Sequence, residues 1–98
     1  MNYNILILPV AELDIKEINF NYKIINKSLA EKFNIALKKE VGIIHKNPFL
    51  YQVRYDDLRM AKIEKFPYVI HFEIHSETIV INAVYHTSRD SKIWFSRD

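Results

Sequence analysis

An α+β fold is the class that this chain of 98 residues predicts: an N-terminal strand, an antiparallel helical hairpin, then a three- to four-stranded, mainly antiparallel sheet. Three observations predict it. Apolar residues recur at spacings of three and four over residues 11–45, which is the period of a helix. From 68 to 86 they recur at every second position, the period of a strand. Between these regimes stands Asn47-Pro48, a natural stop because proline disfavours the α conformation in the residue before it.

The first element is "YNILILP" (3–9), rich in β-formers and ended by Pro9. Ala11, Ile15, Ile18, Tyr22 and Ile25 then mark one face of a helix over about 11–25, with Glu12, Asp14 and Glu17 near its positive end. Ser28-x-x-Glu31 matches a capping box and opens a second helix. Leu29, Phe33, Ala36, Leu37, Val41 and Ile44 carry its stripe to about residue 45. The join at 26–28 is short, so the helices form an antiparallel hairpin. "LYQVRY" (50–55) and "RMAKIEKF" (59–66) read as strands, with Asp56-Asp57 as a turn pair between them. The tail "SKIWFSRD" is read as a last strand or turn. Neither a repeat nor a linker interrupts the chain, so residues 1–98 are expected to form one domain with one core.

Composition narrows the function classes. The chain is 49% hydrophobic and 27% charged, which suits a globular protein rather than a disordered one. Cysteine is absent, which removes disulfides, thiolate nucleophiles and cysteine-bound zinc. The N-terminal apolar run has no basic residues ahead of it and contains Pro9, so it reads as a strand rather than a signal peptide. With no membrane span either, a cytoplasmic protein is expected. Net charge is +2, and Lys/Arg against Asp/Glu number seven to five in residues 1–50 and seven to seven in 51–98. A nucleic-acid binder usually shows a basic stripe or a strongly basic domain; here that signal is weak.

Three of the four histidines fall in the best strands. Along 68–75, Tyr68, Ile70, Phe72 and Ile74 share one face, and Val69, His71, Glu73 and His75 the other. Along 78–86, unbroken alternation groups Ile79, Ile81, Ala83 and Tyr85 against Thr78, Val80, Asn82, Val84 and His86. A Ser76-Glu77 turn sets His71 opposite Asn82 and Pro67 opposite His86. The histidines are therefore expected outside the core, on an open, semi-polar sheet face turned away from the helices. His71 and His75 lie about 13 Å apart along an extended strand, too far to share one metal ion. No metal or cofactor is expected.

The stretch "NPFLYQVRYDDLRMAKIEKFPYVIHFEI", followed by "TIVINAVYHTSRDSKIW", resembles the RelE/ParE superfamily, the toxins of type II toxin–antitoxin (plasmid stabilisation) modules. The likeness spans nearly the whole chain: N-terminal strand, hairpin ending in Asn47-Pro48, an Arg/Lys-bearing strand, Phe66-Pro67-Tyr68, and a last strand closing on His86-x-x-Arg89-Asp90. It implies a growth-inhibiting toxin held by a cognate antitoxin in a heteromeric complex. Two activities follow from it. ParE-like members poison DNA gyrase, and the ending "AVYHTSRD" leans that way. RelE-like members cleave mRNA on the ribosome as metal-independent endoribonucleases. For that chemistry the matching positions are Lys62 (or Arg59) and Arg89 as phosphate clamps and His86 as general acid or base. A further alternative is an inactive homologue or a plain interaction module. On the open sheet face, His71, Val69, Val80, Asn82 and Val84 are the expected contacts for antitoxin or target.

Overall fold

The computed structural model describes residues 3–88. Strand β1 (Asn4–Ile7) leads into helices α1 (Pro9–Ile25) and α2 (Lys27–Lys46), and a 3₁₀ turn (Pro48–Leu50) follows. The remaining strands are β2 (Val53–Tyr55), β3 (Leu58–Lys62), β4 (Tyr68–His75) and β5 (Thr78–His86). They form a five-stranded sheet in the order β1-β5-β4-β3-β2, antiparallel except for the β1–β5 pair. The predicted α+β class holds, with more strands than expected because β1 joins the same sheet beside β5.

Local chemistry explains the elements and corrects two expectations. Pro9 does not merely end β1; it is the first residue of α1, where its missing N–H is one of the unpaired donors of a helix start anyway. The capping residue of α2 is Asn26 rather than Ser28: its Oδ1 accepts the Ser28 N–H at 2.8 Å. Asn26 is extended, with φ −166° and ψ 123°, and closes α1 as well, its own N–H bonding Tyr22 O at 2.8 Å. One residue thus turns the hairpin. Two tight turns need left-handed residues, and Asp56 (φ 47°) and Ser76 (φ 58°) supply them between β2 and β3 and between β4 and β5.

The helices cover one face of the sheet. Ala11 and Ile18 of α1 and Phe33, Leu37 and Ile44 of α2 pack on Ala61, Ile63, Ile70, Phe72, Ile79, Ile81 and Val84. Phe33, Ile44, Ile70, Phe72, Ile79 and Ile81 are essentially inaccessible, each worth roughly 1.5–3 kcal/mol of burial. Rings of Tyr22, Phe33, Phe66 and Tyr68 meet edge to face at centroid distances of 5.4–6.3 Å and lock the hairpin to the start of β4. Ile25, expected on the buried stripe of α1, is 73% exposed, because the helix ends there and turns away at Asn26.

The β4–β5 pairing decides where the site residues go. From the Ser76-Glu77 turn the register runs as predicted through His75↔Thr78 to Phe72↔Ile81. It then slips by one: His71 faces Ala83, Ile70 faces Val84, and Tyr68 faces His86. Asn82 is the extra residue of a β-bulge, which reverses the face of everything after it. The predicted His71–Asn82 and Pro67–His86 pairs are therefore not formed.

Candidate functional site

Because of the bulge, Val84 and His86 leave the far face of the sheet and join the helix side. Val84 becomes core at 3% exposure, and His86 sets its ring 5.2 Å from that of Tyr68, nearly perpendicular to it. Ala83 and Tyr85 move the other way, to the far face. The expectation that His86 and Val84 lie with His71, Val69 and Val80 on one surface is overturned by the register.

β5 also runs past its neighbour. β1 stops pairing at Ile7↔Ile81, with Leu8 N bonding Ile81 O at 3.1 Å, so among the described residues no strand lies beside the edge of β5 beyond residue 81. An unpaired buried N–H would cost about 1–3 kcal/mol. Asp14 of α1 supplies the acceptor, its Oδ2 taking the Val84 N–H at 3.0 Å. The result is a cleft between α1 and the end of β5, lined by Asp14, Glu17, Ile18, Asn21, Tyr68, Val84 and His86.

Its electrostatics are those of two carboxylates and a histidine, with neither lysine nor arginine among these lining residues. His86 is further committed. Its Nδ1 lies 3.1 Å from Ser88 N and 2.7 Å from Ser88 Oγ. A backbone amide can only donate, so Nδ1 is the acceptor and the neutral ring carries its proton on Nε2. In that state His86 offers the cleft a donor and no free basic nitrogen.

The other expected clamp residues lie elsewhere. Arg59 faces the helix side of β3, donates to the Tyr51 carbonyl and stacks at 5.0 Å over the Phe49 ring. Tyr51 in turn donates to Glu40, and burial together with that carboxylate pushes its hydroxyl well above the ordinary range. Lys62 follows Ala61 onto the opposite face, and its ammonium bonds the carbonyls of Ile63 (3.2 Å) and Phe66 (3.0 Å). Both cations are used in holding loops. The structure does not bring Arg59, Lys62 and His86 together, and Arg89, with Trp94 and Phe95 of the tail, lies outside the described residues.

The far face is not open either. His71 is 2% exposed, beside the Tyr85 ring at 5.1 Å. Desolvation holds its imidazole down to about 4, with Asp14 pulling weakly the other way. Val69, Val80 and Asn82 are half-buried. Glu73 bridges Asn82 Nδ2 at 2.7 Å and His75 Nε2 at 2.8 Å across this face. No group of three or more His, Asp or Glu side chains suited to a metal ion occurs among the described residues.

Sequence reasoning missed Asp14 and Glu17 as site residues. They read as acids placed for the helix dipole, and the available signal was only their spacing of three, which sets them on one side of α1.

Comparison with known proteins gives the context. Residues 5–91 match the family described as ParE toxin of type II toxin-antitoxin system, parDE. Among curated proteins none matches the sequence. Among solved structures, the chain resembles one titled "Chromosomal ParDE TA system from P. aeruginosa", with a TM-score of 0.77 and 17% identity over 88% of this chain and 97% of that one. At that identity the likeness concerns the fold.

Proposed function

The chain belongs to the ParE toxin family of type II toxin–antitoxin systems, and from that premise we propose that it arrests growth in the cytoplasm by poisoning DNA gyrase, without a nuclease site, until a cognate antitoxin masks it. The observation that carries this reading is the His86 cleft. Cleaving RNA needs fixed cations where charge develops on phosphorus and a base free to take the 2′-hydroxyl proton. Here the lining offers Asp14 and Glu17, Lys62 and Arg59 are tied to backbone carbonyls, and Nδ1 of His86 is taken by Ser88. Two carboxylates repel a phosphate at that position. As in the ParDE system that the fold resembles, the partner is a second, co-encoded protein.

The test is induced expression of the chain without its neighbouring reading frame, with DNA and mRNA followed in one culture, alongside purified gyrase with supercoiled DNA. Growth arrest with double-strand breaks, and trapped cleavage complexes in vitro, is the expected result. Ribosome-bound mRNA cut at discrete positions, and lost in His86→Ala, would replace gyrase with the ribonuclease mechanism. Normal growth with soluble protein would leave an inactive homologue or a binding module.

A further inference from the structure

Burial on the sheet face turned away from the helices is uneven along the strands. Near the Ser76-Glu77 turn that face is open: Leu6, which pairs with half-buried Val80, is 51% exposed, and His75 is exposed too. At the opposite end, where the chain leaves β5, it is shut. His71 and Tyr85 are each 2% exposed and Ala83, the partner of His71, 5%. A ring standing on a sheet keeps its top in solvent unless a second layer lies about 10 Å above the strands. The His71 and Tyr85 rings meet at 5.1 Å and shield each other's sides, but two neighbouring rings do not cover their own tops.

No element among the described residues supplies that layer. Both helices pack on the other face. So does the stretch around the 3₁₀ turn, where Phe49 lies against Arg59 and Tyr51 meets the Phe72 ring at 5.6 Å. The burial belongs to a single chain, so neither a partner nor a second copy accounts for it. That leaves the two ends of the chain. Met1-Asn2 precede β1, whose first residue pairs with Thr78, roughly 23 Å along β5 from Tyr85. Two residues do not span that distance. Residues 89–98 start directly after Ser88, at the shut end, and ten residues reach up to about 33 Å. Their centre is Ile93-Trp94-Phe95, an apolar triplet between Lys92 and Ser96 that holds the only tryptophan of the chain.

We propose that the C-terminal segment 89–98 folds back from the end of β5 and seats Trp94, with Ile93 and Phe95, over Tyr85, Ala83 and His71. Aromatic rings above the Tyr85 and His71 rings supply the missing layer. They also complete the apolar surroundings that hold the His71 imidazole down. The proposal does not depend on the toxin reading. It makes the shut half of this face an intramolecular contact and leaves the turn end, around Leu6 and Val80, as the part accessible from outside.

Nuclear Overhauser spectroscopy on the full chain is the test. Contacts from the Trp94 indole to the Ala83 methyl group and the Tyr85 ring are expected, all within one chain when labelled and unlabelled chains are mixed. A second measurement is histidine carbethoxylation read by mass spectrometry, with exposed His75 as control. His71 is expected to react at least about 10-fold more slowly than His75 in the natural chain. In Trp94→Ser/Phe95→Ser that protection is lost, and the melting temperature falls by about 5 °C or more. Where the double variant does not fold, the contacts in the natural chain decide. A Trp94 indole without contact to these residues overturns the proposal, as does unchanged protection of His71 in a folded double variant. Indole contacts that cross between chains give the cover to a second copy and overturn it as well.

Discussion

On the face of the sheet turned away from the helices, a histidine is 2% exposed; on the face of α1 turned away from the sheet, a phenylalanine is 62% exposed. The first surface carries His71, Glu73, His75 and Asn82, yet His71 is buried and Glu73 and Asn82 are half-buried, with His75 exposed at the turn end. The second lies on a helix whose inner face already packs into the core, yet it presents Leu13, Phe20 and Ile24. Polarity of residues therefore does not tell which surface is open to solvent. His71 is buried there against the Tyr85 ring, and Glu73 ties Asn82 and His75 beside it. An exposed line of large apolar side chains is one whose burial has been deferred.

The contrast can be broken at its source by inserting one residue into β4 between His71 and Phe72, opposite Asn82. With a partner opposite Asn82 the ladder loses its bulge, so Val84 leaves the helix side together with Ile70, and Ala83 and Tyr85 turn toward the helices. Exchanging buried side chains at these positions is expected to cost more than about 3 kcal/mol, read by chemical denaturation. If stability is kept, the bulge does not set the two faces.

The closed state of the far face is tested by pH. Folding holds His71 neutral down to about 4 against its ordinary 6.5, so between these values the unfolded chain binds more protons. Stability is present above the ordinary value and is lost as pH falls toward the lower one. Between about pH 7 and about pH 4.5 this amounts to roughly 2–3 kcal/mol, a slope that His71→Phe is expected to flatten. An equal slope in variant and natural chain would mean that His71 is not desolvated.

A smaller effect is expected at the cleft, where Asp14→Ala leaves the Val84 N–H without its acceptor and costs about 1–3 kcal/mol. Amide exchange at Val84 should quicken in the same variant. Least in size, and opposite in sign, is Gly42→Ala on α2. A methyl group there meets nothing within 4 Å, so the change should stabilise by about 1 kcal/mol through helix propensity. A rise in the melting temperature checks it.

The positions of the two helices, their stop at Asn47-Pro48, and the turns at Asp56-Asp57 and Ser76-Glu77 were legible because each depends on neighbours in sequence. The family was legible for a related reason: element order and spacing survive where identities do not. Less of the site could be read. Lys62, Arg59 and His86 look like a phosphate-handling set in one dimension, but Lys62 and Arg59 are bound to backbone carbonyls that only the folded loops bring near. Asp14 was read for the helix dipole, because the N–H it serves belongs to a residue 70 positions away. The exposed line of Leu13, Phe20 and Ile24 was overlooked because a helix with two apolar lines satisfies the search for one.

By itself the sequence determined the periodicities, and with them the α+β class, the helical hairpin, and the pairing of the two long strands through the Ser76-Glu77 turn. Tertiary structure alone decided the faces beyond Asn82, the burial of His71, and the commitment of each cation. The physical reason is that alternation is a local property that a single inserted residue reverses without any mark of its own. Asn82 is neither glycine nor proline. What favours the bulge is the sum of distant packing: Val84 into the core, Tyr85 against His71, and His86 against Tyr68.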